Sequence, residues 1–207
     1  QNGRYVFNPM KLASNHQKNL DDFLASRELV AVIDNTNLDT WEFRKYTNTE
    51  RVSLVLHTKM VPAHVLASRT QHNVPFASIE KMVSKYKKVF PAYFGVFFSE
   101  MKELPYPRVQ TTPLHLTTCF TGGTIPPPEC WGPIGERVTL PCVGVTVSKA
   151  GKRMDFRCDY PWYTSTSPPH VTLETHFGFK PAQVGTTPGE SRSLEPRLFT
   201  GVYCPYY

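Results

Sequence analysis

Two short stretches constrain this chain more than any other: Leu114-His115-Leu116-Thr117-Thr118-Cys119-Phe120 and Pro169-His170-Val171-Thr172-Leu173-Glu174. Each reads apolar, His, apolar, Thr. In a β-strand alternate side chains share a face, so His115 points with Thr117 and His170 with Thr172. Leu116, Val171 and Leu173 then turn to a core behind. Two such strands side by side bring two imidazoles and two hydroxyls to one cleft. That set suits general acid–base chemistry on a phosphodiester: one imidazole takes a proton, the other gives one, and the hydroxyls hold phosphoryl oxygens.

The text on either side of these stretches differs in kind. Before residue 90, Leu12, His16, Leu20, Phe23 and Leu24 recur at helical spacing behind Pro9, which predicts a helix over 8–24. The run Leu29-Val30-Ala31-Val32-Ile33, ending in Asp34-Asn35-Thr36-Asn37, and the stretch 51–57 read as buried strands of an α/β fold. Helices are expected over 40–46, 62–69 and 75–88, the last with a basic face of Lys81, Lys85, Lys87 and Lys88. Beyond residue 90 the pattern is strand after strand: 93–98, 114–120, 137–148, 153–158, 170–176 and 198–203. Pro105 and Pro107 follow the first as breakers, and Ala150-Gly151-Lys152 marks a hairpin. The expected organisation is an α/β piece over residues 1–90 and a mostly β domain over 91–207.

A net charge of +6 favours anionic partners such as nucleotides or RNA. Five cysteines, with no C-x-x-C pair, read as reduced thiols of a cytoplasmic protein rather than a disulfide framework. No apolar run approaches the ~20 residues of a membrane span. His57, His64 and His72 stand too far apart for a zinc site, so no metal is expected. The chain begins at Gln1 rather than Met, which reads as a fragment or processed product.

The paired His115-Leu116-Thr117 and His170-Val171-Thr172 resemble the signature of the two-histidine phosphoesterase superfamily. The flanks occur in a matching order: Tyr93-Phe94-Gly95-Val96-Phe97-Phe98, then Thr118-Cys119-Phe120, Gln183, and Leu198-Phe199-Thr200-Gly201-Val202-Tyr203. Together they look like the 2′,3′-cyclic-nucleotide 3′-phosphodiesterase family, over roughly residues 91–203. The first part has its own likeness. Tyr5-Val6-Phe7-Asn8, Ile33-Asp34-Asn35-Thr36-Asn37, Trp41-Glu42 and His72-Asn73-Val74-Pro75 resemble the latter portion of polynucleotide-kinase-like P-loop domains. No G-x-x-x-x-G-K-[ST] is present, so no kinase activity is expected from it.

The resemblance implies an α+β fold. Its phosphoesterase domain would be two-lobed and antiparallel-sheeted with a central cleft, preceded by a partial α/β P-loop-like segment. It implies metal-independent hydrolysis, without a cofactor, of 2′,3′-cyclic nucleotides or RNA cyclic-phosphate ends to 2′-phosphates. His170 would activate the water, His115 would protonate the O3′ leaving group, and Thr117 and Thr172 would bind the nonbridging oxygens. Phe120 and, less directly, Tyr93 are candidate walls for the base or ribose. Departures from the family are visible in the Pro- and Gly-rich text at 124–135 and 185–196, where helices are expected. Pro168 also stands two residues before His170, in place of a basic residue. Two other readings stay open. One is an RNA-binding or scaffolding protein that keeps the cleft without turnover, motivated by the trimmed lobes and basic charge. The other is cleavage of 2′-5′ oligoadenylates.

Overall fold

Prolines punctuate the first half into helices. The computed structural model describes residues 8–47, 51–70, 73–98 and 114–207. Tyr5-Val6-Phe7, His72, Pro105 and Pro107 lie outside them. The chain divides into two compact units, Gln1–Arg51 with Val55–Val89 and Val52–Leu54 with Phe90–Tyr207. The first holds α1 (Leu12–Ala25), α2 (Thr40–Thr47), α3 (Ala63–Arg69) and α4 (Phe76–Lys85). Pro62 and Pro75 stand immediately before α3 and α4, where a fixed φ and a missing N–H cost a helix nothing. Phe23 of α1 meets Tyr46 of α2 edge-on, with ring centroids 5.5 Å apart. His57 ties down the end of this unit, its Nδ1 2.8 Å from the Tyr86 hydroxyl and its Nε2 2.7 Å from the Val89 carbonyl oxygen.

The strands expected at 29–33 and 51–57 do not form. Leu29 is fully exposed and Val32 is 82% exposed. A strand is stable only when neighbouring backbone takes up its N–H and C=O groups. Among the described residues neither run is paired with a strand. The partial α/β P-loop-like segment is therefore corrected to helices, with no strand among its described residues.

The second unit is a closed antiparallel barrel of six strands, ordered β1-β2-β5-β4-β3-β6. They are β1 (Tyr93–Phe97), β2 (His115–Phe120), β3 (Arg137–Ser148), β4 (Gly151–Phe156), β5 (His170–Thr175) and β6 (Gly189–Tyr206), with α5 (Pro181–Thr186) between the last two. Alternation directs Phe94, Val96, Leu116, Leu140, Val171 and Tyr203 into one fully buried core. Buried polar groups there are satisfied. Thr118 Oγ1 donates to the Phe94 carbonyl oxygen at 3.1 Å, and the Tyr203 hydroxyl donates to the Cys130 carbonyl oxygen at 3.1 Å.

This overturns the two-lobed sheet with a central cleft. With α5 the one α-helix described in this unit, most of the apolar sheet face has no helix to cover it. The sheet buries that face by curling on itself. β1 pairs with β6, and β2 meets β5 at Leu116 opposite Val171. That single registered pair is the narrowest join in the wall. Past it, the Thr118 carbonyl oxygen accepts from the Thr164 and Ser165 N–H groups at 2.9 and 2.8 Å, so the loop after β4 fills the gap.

Leu116→Ala should lower barrel stability by about 2–5 kcal/mol through lost burial and a cavity. Leu29→Ala should cost less than about 0.5 kcal/mol. Urea unfolding of both variants checks this, and a Leu29 cost as large as the Leu116 cost would restore the buried-strand reading.

Candidate active site

The join between β2 and β5 also builds the site. Because Leu116 and Val171 face each other in antiparallel strands, His115 falls opposite Thr172 and Thr117 opposite His170. All four turn to the outer wall, away from the core, and all four are half-buried. Registered neighbours extend two rows across the wall. Asp155 lies beside His170 and Gly95 beside Thr117, while Arg153 lies beside Thr172 and Phe97 beside His115. The two histidines are diagonal neighbours, a spacing of about 7–8 Å between backbones. That separation suits two imidazoles reaching one phosphoryl group through hydrogen bonds of about 2.8 Å.

The two rings are held differently. His170 Nδ1 lies 2.8 Å from the Pro168 carbonyl oxygen. A carbonyl only accepts, so Nδ1 carries the proton and the lone pair sits on Nε2. Burial lowers the His170 pKa below the ordinary imidazole value. Its bond to Pro168 and the Asp155 charge work against that shift, and Arg153 adds to it. The result is a neutral imidazole with a basic Nε2. Pro168, where the resembled family has a basic residue, thus supplies a carbonyl that sets the tautomer.

His115 instead lies in a tiled group of rings. It stacks on Tyr93 at 4.8 Å and 18°, and on Phe97 at 5.1 Å and 23°. Tyr206 stacks on Tyr93 at 4.8 Å. Tyr93 and Phe97 are four residues apart on β1, about 13 Å of strand, yet their ring centroids are 6.4 Å apart. Gly95 stands between them on β1, and a Cβ there would come within 2.7 Å of the Leu116 carbonyl oxygen. Burial, with Tyr206 and Cys204 nearby, raises the Tyr93 pKa and keeps its hydroxyl neutral.

Of the residues singled out from the sequence, the register brings His115, Thr117, His170 and Thr172 together. Tyr93 lies against His115 rather than standing free as a wall. Phe120, at the end of β2, is 76% exposed and open to contact a ligand. Gln183 does structural work: its Oε1 accepts from the Lys180 N–H at 2.8 Å, capping α5. His176 is outside the site, its Nδ1 3.2 Å from the Lys149 carbonyl oxygen. Sequence reasoning missed Arg153, Asp155, Phe97, Tyr206 and Gly185. Arg153 and Asp155 alternate with the core residues Met154 and Phe156, a signal that has meaning only once β4 is known to flank β5.

No protein-family profile matches this chain, and no curated protein matches it. Among the described residues, no group of three or more His, Cys, Asp and Glu is arranged to hold a metal ion. None of the described helices is long and apolar enough to cross a membrane. All five cysteines are free thiols. Burial pushes the Cys204 thiol up to about 12, so it stays protonated beside the aromatic tiles.

The His170 environment has a consequence for stability. The unfolded imidazole protonates near ~6.5, whereas the folded one resists protonation to lower pH. Its stabilising contribution is therefore complete above that value and lost as pH falls through the folded pKa. Urea midpoints measured from pH 7.5 to 5 should fall less steeply in His170→Asn, whose amide still donates to Pro168, than in the wild type. Parallel curves would contradict the neutral assignment.

Proposed function

We propose that this chain hydrolyses 2′,3′-cyclic phosphates, on nucleotides or RNA ends, to 2′-phosphates, as the likeness to two-histidine phosphoesterases implies. The observation that carries the reading is the Leu116–Val171 register, which sets both His-x-Thr motifs on one face as diagonal partners. A 2′,3′-cyclic phosphate is a strained monoanionic diester, and proton transfer at two points suffices to open it.

In this reading His170 Nε2 takes the proton from an attacking water. The water bonds to phosphorus in line with O3′, the P–O3′ bond breaks, and His115 protonates the departing oxygen. Thr117 and Thr172, one beside each imidazole, donate to the nonbridging oxygens as charge builds on them. Two imidazoles in unlike surroundings, one bonded to a carbonyl and one tiled among rings, suit a division into base and acid. Phe120, exposed on the rim, offers a face for the base or ribose. The net positive charge favours an anionic substrate.

Incubation with 2′,3′-cyclic AMP should yield 2′-AMP. His115→Ala and His170→Ala should each lower kcat by roughly 10²–10⁴-fold, and Thr117→Val or Thr172→Val by roughly 10²–10³-fold. RNA binding without turnover would sink the hydrolase reading, and so would turnover that both histidine variants retain.

A further inference from the structure

Arg153 lies on β4 opposite Thr172, and its Nε and Nη1 bond inside the molecule. Nε donates to Asp155 Oδ1 at 2.8 Å. Nη1 donates to the carbonyl oxygens of Val184, Gly185 and Thr187 at 2.7, 2.9 and 3.4 Å. Those carbonyls end α5, where a helix has no partners of its own to offer. Asp155 is fixed from its other side, since Thr146 Oγ1 donates to Oδ2 at 2.6 Å. Both charged side chains are largely buried, at 12% and 20% exposure.

What α5 contributes is Gly185. A Cβ there would lie 2.6 Å from His170 Nε2 and 2.9 Å from Nδ1, so the imidazole fills the space a side chain at 185 would take. Helix α5, Pro-Ala-Gln-Val-Gly-Thr, carries no titratable group. The charges bearing on His170 come from β4, Arg153 on one side and Asp155 on the other, while the facing β2 presents Thr117 and His115. Lysine at 153 would carry the charge but not the fork, which here serves one carboxylate and three carbonyls together.

We propose that Arg153 is the positioning residue for His170: it pins the end of α5 so that Gly185 backs the imidazole and keeps Nδ1 on the Pro168 carbonyl. This rests on the reading of His170 as the base of the hydrolytic site. In this proposal the effect of Arg153 passes through α5 and the ring.

The test is an ¹⁵N-resolved NMR titration of His170 in the full chain, with turnover of 2′,3′-cyclic AMP measured alongside. Wild type should show a protonated Nδ1, an unprotonated Nε2 and a midpoint below the ordinary imidazole value. In Arg153→Met the tautomers should mix and the midpoint rise. There kcat should fall on the order of 10²-fold with KM changed much less. Arg153→Lys should restore the midpoint but not the single tautomer. Gly185→Ala, with Arg153 intact and a residue better suited to a helix, should reproduce the mixed tautomer and the loss of kcat. An Arg153→Met protein that keeps a native circular dichroism spectrum and the wild-type tautomer and midpoint overturns the proposal. Should Arg153→Met not fold, Gly185→Ala decides, and an unchanged His170 signal there overturns it equally. Absence of turnover in the wild type defeats the hydrolase reading alone, because the tautomer measurement judges Arg153 without it.

Discussion

Backbone pairing at Leu116 and Val171 does two jobs at once. On the inner side it brings two fully buried side chains into the core and closes the barrel between β2 and β5. On the outer side, through the strict two-residue period of a strand, it sets His115 against Thr172 and His170 against Thr117. A slip of one residue in either strand would turn its imidazole and hydroxyl into the core and its apolar residues to water. Burial of Leu116 and Val171 therefore defends the register, and the register places the chemistry. Stability and site geometry rest on the same few ångströms of ladder.

Around that ladder the two imidazoles receive unlike surroundings. His170 is bonded to a carbonyl that specifies its tautomer, backed by a glycine and flanked by an ion pair, and burial disfavours its cation. His115 lies among the stacked rings of Tyr93, Phe97 and Tyr206. Two groups of one chemical type are thereby distinguished by their neighbours, as the proposed division into acid and base requires.

How much of this was legible beforehand depended on whether the determining contact was local. Pro9, Pro62 and Pro75 announce helices through the backbone geometry they impose, and those helices stand within a few residues of where spacing put them. Alternation marks His115–Phe120 and His170–Thr175 as strands, and β3 runs over Arg137–Ser148 as read. The run Leu29–Ile33 misled because an apolar run cannot say whether a partner strand exists to bury it. Closure of the barrel was illegible for the same reason, since β1 with β6 and β2 with β5 join segments distant in the chain. Text around Gly189 and Pro196 reads as loop. Residues 189–193 nonetheless pair with β3, and Pro196 falls between the registered residues Ser193 and Arg197, where its missing N–H interrupts no registered pair of the ladder. In the site, the four His and Thr residues were visible through their repeated pattern. Arg153, Gly185 and the Pro168 carbonyl act through tertiary proximity that no short motif records.

Whether two imidazoles on neighbouring strands address one phosphoryl group, as proposed, is a question of simultaneous contact. It is tested most directly by following both rings by ¹⁵N NMR while titrating the protein with 2′-AMP, the proposed product. His115 and His170 should shift together along one saturation curve with a single Kd. A response confined to one ring, or two rings saturating with different constants, would contradict it.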